Sequence, residues 1–583
     1  MRIRERARVV PFLRQCWSAQ QRLTRAASAR LWSARAAAGR RRLDAADPAV
    51  RRLSAEGFPL RGRTVDHYSA AAAATADLRT VTDLLESEGI PYFLVPGHDP
   101  LRKVVGVEEQ YRREFLRLAG EQLRRTAGYV AALGQSGVPS RVVLWADGRL
   151  PRSIRSARAL RLGVVRLGPV GQILGGLDTG CEVEFWRQGH ELDGAAADAG
   201  WLTVPTRQLG EVFSGALVAP RVNRVTEVLP ADARKPASIT LGGHGFPTFE
   251  PFAEPGVDEV LFPIDVVYTW VDGSDPVLAA KREAHRDGTT GLIAAREVGS
   301  SRYTSHDELK YSLRSLEMYA DFIRHIYIVT DGQKPHWLNE DAEGITVVDH
   351  RDILPAEALP VFNSHAIESR LHRIPGLSEH YLYFNDDVFV NRPVEAGRFF
   401  HGNGIALLPF SPFKLGVGAP QSEEPAPNSA GKNVREVILR AHGRYITNKF
   451  LHTPHPQLLS VMKELHDLGI PELESTTRSR FRSIRDVAPA ATLHHHWAMV
   501  TGRAVPGEYS FRYVELGKPD LRERLARLAN AADVDFFCLN DVSTDDARRD
   551  AIRGTAHTFL ERRFPFASRF EKTPAKTPVR TGG

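Results

Sequence analysis

Cysteine is nearly missing from this chain: 583 residues contain three, Cys16, Cys181 and Cys538, far apart and in no paired spacing. A disulfide framework and a thiolate-based metal cluster are thereby excluded, and a reducing compartment fits. Long apolar runs are also lacking, and no stretch approaches the roughly 20 residues that a spanning helix needs. The N-terminus is positively charged, but Arg14 and Gln15 cut its one short apolar run, Val9 to Leu13, before it reaches signal-peptide length. The expected location is therefore the cytoplasm. Acids are scarce over the first sixty or so residues, where much of the formal charge of +7 is gathered. This leader has two readings: a solvated basic arm, or an amphipathic helix carrying Phe12, Trp17, Leu31 and Trp32 onto the inner face of an anionic membrane. No nucleic-acid recognition module accompanies it, so no nucleic-acid partner is expected.

What is present is the composition of ordinary globular protein, and a chain of this length predicts two main domains. Residues 1–65 form the leader and 66–230 a small α/β or α+β domain. Residues 231–258, rich in Pro, Gly and Ala, read as a linker, 259–572 as the second domain and 573–583 as a tail. In the first domain the pattern predicts a helix over Ala70 to Glu88, a strand at Tyr92 to Val95 and a second helix from Val107 to Leu133. Strands are expected at Ser140 to Ala146, Arg161 to Leu167 and Glu182 to Trp186, and Gly171 to Gly176 as a loop, since it lacks the strand-GxGxxG-helix context.

After the linker the chain alternates: strand Ile264 to Trp270, helix Asp307 to Tyr319, strands His325 to Thr330 and Thr346 to Asp349, helix His365 to His372, strand Tyr381 to Phe384. Such alternation predicts a mainly parallel sheet with helices on its faces, and ligands then gather at the carboxyl ends of the strands. Those ends are acidic. The first runs into Asp272 and Asp275, the second into Asp331, and Tyr381 to Phe384 directly into Asn385-Asp386-Asp387. Two adjacent carboxylates and an amide at a sheet edge are hard oxygen ligands suited to Mg²⁺ or Mn²⁺; as a lone feature the cluster is equally a turn.

Downstream, His452-Thr453-Pro454-His455 stands before a helix expected near Gln457, where imidazoles can shuttle a proton or donate to phosphate. Arg478, Arg480, Arg482 and Arg485 are either a solvated face or a source of one bidentate phosphate clamp. Neighbours in a helix or strand point apart, so His494-His495-His496 is expected to pack or to supply one functional ring, not a metal cluster.

At these residues the chain resembles the Stealth family, which includes bacterial capsular-polysaccharide phosphotransferases and the catalytic subunit of animal N-acetylglucosamine-1-phosphotransferase. Four blocks carry the likeness: IDVVYTWVDGSDP (264–276); SRYTSHDELKYSLRSLEMYA (301–320) with HIYIVTDGQKPHWLN (325–339) and HAIESRLHRIPGLSEHYLYFNDDVFV (365–390); HTPHPQLLSVMKEL (452–465) with FRSIRD (481–486); and FFCLND (536–541). The resemblance implies an α/β, nucleotide-sugar-binding, Rossmann-like domain of the glycosyltransferase-A-like kind. It implies transfer of a hexose-1-phosphate or N-acetylhexosamine-1-phosphate from a UDP-sugar to a hydroxyl of a glycan acceptor, releasing UMP. By position it makes Asp265, Asp386 or Asp387, His452 or His455, Arg482 and Asp541 the active-site residues, with Asp386 and Asp387 on the metal. Asp272, Asp275, Arg302, Asp331 and Asn385 are then expected around the donor. The large insertions of the animal enzymes are lacking, which fits a bacterial polysaccharide enzyme. A metal-dependent glycosyltransferase releasing UDP would use similar acids, and a non-catalytic sugar-nucleotide or membrane-binding protein would need none of them.

Overall fold

The computed structural model describes residues 26–55, 58–97, 99, 101–192, 202, 204, 206–285, 307–541 and 548–572. Two compact units divide the chain, Met1–Gly256 and Val257–Gly583.

The first unit is built on a mixed sheet whose middle strand, Cys181–Gln188, pairs parallel with Val104–Glu108 and antiparallel with Ala159–Val164. Helix Ala70–Ser87, capped by the Ser69 hydroxyl, turns Leu78, Val81 and Leu85 onto Val105, Val183 and Phe185; this i, i+3, i+7 spacing makes one apolar stripe. Three expectations change. The helix foreseen over Val107 to Leu133 is instead the end of strand Val104–Glu108, helix Arg112–Gln122 and strand Gly128–Leu133. Here β-branched valines favour extended backbone, and the Thr126-Ala127-Gly128 stretch interrupts the helix. The foreseen linker holds a hairpin, Pro236–Leu241 with His244–Phe249, turning through Gly242 and Gly243 at φ of +55° and +79°, a left-handed turn open to glycine. It buries Phe246, and the helix Glu250–Ala253 that follows buries Phe252. Part of the leader is folded as well: helix Ala26–Ala46 sets Leu43 in a cluster with Val50 and Leu60, and Arg40 pairs with Asp147 at 2.6 Å. The leader's first 25 residues lie outside the described part, so its membrane reading is not addressed there; no described helix is long and apolar enough to cross a membrane.

The second unit centres on five strands. In chain order the unit's strands are β1 (Ile264–Thr269), β2 (Ile323–Thr330), β3 (Ile345–Asp349), β4 (His380–Asn385), β5 (Val388–Val390), β6 (Ala406–Lys414), β7 (Asn448–Phe450), β8 (His455–Leu458), β9 (Ala504–Gly507), β10 (Phe511–Glu515) and β11 (Phe536–Asn540). The main sheet runs β3-β2-β1-β4-β8; its first four strands are parallel and β8 is antiparallel to β4. The alternation seen in the sequence is thus a parallel α/β sheet. β1 is apolar at nearly every position because helices cover both faces, and a doubly buried strand shows no period-two pattern. Register brings Thr269 level with both Val329 and Asn385, and Thr330 level with Asp349. Four carboxyl ends therefore share one edge.

β5 leaves this sheet after a two-residue turn and joins another, pairing antiparallel with β11, which pairs parallel with β10. Helix Glu308–Tyr319 clips the junction: Ser312 Oγ donates to the Val388 carbonyl at 2.6 Å, and the Val390 N–H donates to Ser315 Oγ at 3.1 Å. β6 forms a third small sheet with β7 and β9.

Candidate active site

The turn between β4 and β5 is Asp386-Asp387. β11 lies beside it, so Asn540 Nδ2 donates to Asp387 Oδ2 at 2.9 Å and the Cys538 thiol approaches the same oxygen at 3.2 Å. Asp387 Oδ1 faces His452 Nε2 at 3.5 Å. Burial opposes ionisation of Asp387, but His452, Asn540 and Cys538 all favour the anion and hold its carboxyl below the usual range. Asp386 goes the other way, pushed up to about 7 by burial and by the adjacent Asp387 charge. On His452 burial is outweighed by the Asp387 carboxylate, which raises the imidazole. One turn thus carries two acids of unequal proton affinity and a histidine tied to the stronger.

Arg482 reaches the site on a loop stitched to the helix Ser364–Glu368. Asn363 caps that helix and donates from Nδ2 to the buried Asp486 carboxylate at 2.9 Å and to the Ser479 carbonyl at 3.1 Å. Phe362 stacks on Phe481 at 5.1 Å. With the loop so fixed, Arg482 Nη2 donates to Ser364 Oγ at 2.9 Å.

At the end of this helix Glu368, 5% exposed, accepts from the Ala490 N–H at 3.3 Å and faces the Tyr383 hydroxyl of β4 at 3.4 Å. The Ala490 N–H is available because it lies in the first turn of the π-helical segment Pro489–Leu493, where an N–H has no partner within the helix. Burial pushes Glu368 up to about 7, with the Arg482 guanidinium pulling it back. The folded value lies above the ordinary one near 4.5, so the native state binds the extra proton and stability falls as pH rises from about 4.5 to about 7. Glu368→Gln removes that loss. The variant is expected to exceed the parent by up to about 3 kcal/mol in urea denaturation at pH 8 and to match it below about pH 4; a pH-independent difference would show that the carboxyl ionises normally.

Asp387, His452 and Cys538 have candidate ligand atoms within 4.8 Å of one another. Cys538 is a poor thiolate here, since burial and the Asp387 charge push its thiol well above the ordinary value; it serves as a donor to Asp387. The oxygens fit better. Asp387 Oδ1 has nothing nearer than its 3.5 Å approach to His452, and Asn540 Oδ1 is buried without a donor; beside the Asp386 carboxyl they make a hard set that could hold a divalent cation.

Of the residues expected from the sequence, the structure brings Asp386, Asp387 and His452 together, with Asn385 as the last residue of β4 and Asp541 directly after Asn540. Arg482 and His455 border them: the His455 ring is 6.4 Å from that of His452. Four acids have other tasks. Asp265 is fully buried near the opposite end of β1, where it accepts from Arg324 at 2.8 and 2.6 Å and from the Ser378 N–H at 2.7 Å. The geometry there is that of an ion pair tying β1 to the segment before β4, away from the acidic turn. Asp275 caps the helix Pro276–Ala284, Asp272 accepts from Ser274 within its own turn, and Gln333 ties both to the loop after β2. Asp331 pairs with Lys281 at 3.0 Å. Arg302 lies outside the described residues. His494, His495 and His496 are buried, as the packing reading expected, His496 against the Asn448 carbonyl. Glu368, Cys538 and Asn540 went unnoticed in the sequence. For Glu368 the available signal was an acid within the apolar spacing of Ala366, Ile367 and Leu371; Cys538 and Asn540 offered none beyond their place in FFCLND.

Models of the Stealth protein conserved regions 1, 2, 3 and 4 match residues 262–289, 302–408, 451–499 and 527–580. Among curated proteins, an exopolysaccharide phosphotransferase of Streptomyces coelicolor is 38% identical over 515 residues, 85% of this chain and 82% of that protein. A second from the same organism is 37% identical over 518 residues, 86% and 84% of the two chains. The exopolysaccharide phosphotransferase CpsY of Mycobacterium tuberculosis is 32% identical over 507 residues, 86% and 89%. Matches of this length exceed the second unit, so the likeness extends into the first. Asp386, Asp387 and Glu368 fall in the second conserved region and His452 in the third; with all four regions present in chain order, this chain belongs to the Stealth family.

Proposed function

We propose that this protein is an exopolysaccharide phosphotransferase that moves a hexose-1-phosphate or N-acetylhexosamine-1-phosphate from a UDP-sugar to a sugar hydroxyl. The observation that carries the reading is the Asp387–His452 pair standing with Asp386, Glu368 and Arg482 at the carboxyl edge of β4. The names of its relatives support the coarser part, phosphotransfer in polysaccharide synthesis.

In this reading the acceptor oxygen bonds to the β-phosphorus of the donor, and the β-phosphorus to bridging-oxygen bond breaks. The bridging oxygen leaves with UMP, and the sugar phosphate becomes a phosphodiester. His452, oriented by Asp387, takes the acceptor proton. Arg482 clamps the equatorial oxygens of the transferred phosphoryl, where a planar guanidinium can make two parallel hydrogen bonds. Glu368 and Ser364 hold that guanidinium in place. Asp386, Asp387 and Asn540 would hold Mg²⁺ or Mn²⁺, which when bound supplies charge neutralisation for the diphosphate.

Incubation with UDP-sugars, Mg²⁺ and an oligosaccharide acceptor is expected to release UMP and give a phosphodiester signal in the phosphorus NMR spectrum. Release of UDP with a new glycosidic bond would overturn the reading in favour of glycosyl transfer.

A further inference from the structure

Three buried imidazoles run inward from the site. The Leu458 N–H donates to His494 Nε2 at 2.8 Å, His494 Nδ1 meets His495 Nδ1 at 3.2 Å, and His495 Nε2 meets His455 Nδ1 at 3.1 Å. None of the three is more than 3% exposed. Burial keeps all of them neutral near pH 7, with His455 and His494 lowered to about 3 and His495 well below its usual value.

A backbone N–H can only donate, and that fixes the whole series. His494 Nε2 must present a lone pair, and a neutral imidazole has one N–H, so the His494 proton is on Nδ1. That proton can only be given to His495 Nδ1, which leaves the His495 proton on Nε2. His495 Nε2–H then donates to His455 Nδ1, and the His455 proton is forced onto Nε2, on the ring edge turned away from His495. β8 sets His455 opposite Tyr383 of β4, two residues before Asn385. The His455 ring lies near-parallel to that of Tyr383 at 6.3 Å, and 6.4 Å from His452.

We infer that His494 and His495 are positioning residues, a tautomer clamp that presents His455 to the site as a fixed, neutral Nε2–H donor for an anionic oxygen, and never as a proton acceptor at that atom. The two histidines of the HTPH segment thereby divide their work: His452, partnered by a carboxylate, is equipped to take a proton, whereas His455 is locked into giving a hydrogen bond. The identity of the anionic oxygen as a donor phosphate rests on the proposed phosphotransfer; the tautomer does not.

The test is long-range nitrogen-proton NMR on the full chain labelled with ¹⁵N-histidine, the His455, His495 and His494 signals being assigned by their loss in single glutamine variants. Nδ1 of His455 is expected to carry the pyridine-type shift and Nε2 the pyrrole-type shift, unchanged between pH 6 and 8. The reverse pattern, or a mixture of tautomers, would overturn the clamp, and it would do so whatever nucleotide the enzyme releases. His495→Gln can accept from His494 through its carbonyl and donate to His455 through its amide, so it should keep both the His455 tautomer and most of the turnover. His495→Phe can do neither and is expected to lower kcat at least about tenfold, the order of a weakened oxyanion donor. A His495→Phe protein with wild-type kcat would equally sink the inference, and if that variant does not fold the wild-type NMR pattern still decides.

Discussion

Asp387→Asn is expected to lower turnover by about a thousandfold, the scale at which a misplaced metal or a lost transition-state charge acts. Asparagine has nearly the same shape, so the loss comes from chemistry and not from packing. It removes the anion that His452 faces at 3.5 Å, which leaves that imidazole without the charge that raises it. It also puts a neutral amide where the proposed cation site calls for a hard anionic ligand. Steady-state kinetics beside a thermal melt separates the alternatives: kcat should collapse while Tm moves by only a few degrees. Cys538→Ser is the informative control, because a hydroxyl still donates to the same carboxylate; it should keep kcat within about tenfold of the parent. A collapse in the serine variant would mean that the sulfur is itself a metal ligand.

Asp265→Ala is expected to have the opposite signature, a loss of about 1–3 kcal/mol in stability with kcat per folded molecule preserved. Arg324 is 46% exposed and stays solvated without its partner, so the cost is that of lost charge-assisted hydrogen bonds and of a buried Ser378 N–H left unpaired. Asp265 is fully buried and is met by two guanidinium contacts and the Ser378 N–H, which ties the start of β1 to the approach to β4. Urea denaturation, followed by activity normalised to the folded fraction, measures both quantities. Loss of turnover in a protein of unchanged stability would restore Asp265 to the active site.

These two acids also show where the sequence was legible and where it was not. Asp387 could be read because an apolar strand ran straight into it, and the end of a parallel strand is where ligands bind. Asp265 was assigned by family resemblance, yet it sits four residues from the end of β1, about 13 Å along a strand rising roughly 3.3 Å per residue. Alternation shows that a strand exists without saying how far along it chemistry can happen. The main sheet was legible because β1, β2 and β4 each carry an unbroken apolar run, Val266 to Tyr268, Ile326 to Val329 and Tyr381 to Phe384. The partners of Asp387 were not: Cys538 and Asn540 are some 150 residues away, and only the pairing of β5 with β11 brings them near. The same limit hid Glu368, whose significance depends on Arg482 and Ala490 arriving from a loop more than a hundred residues later. The foreseen linker fails for a local reason: Pro and Gly mark turns, and a turn between two short strands has the composition of a linker.

The pairing of β5 with β11 also bears on how the protein is made. Every strand of the main sheet has been translated by Leu458, but Asn540, which donates to Asp387, is translated more than eighty residues later. A nascent chain can therefore assemble its main sheet well before its acidic turn is held by Asn540. A fragment ending before residue 536, which lacks Cys538 and Asn540, should therefore fold its main sheet and remain inert.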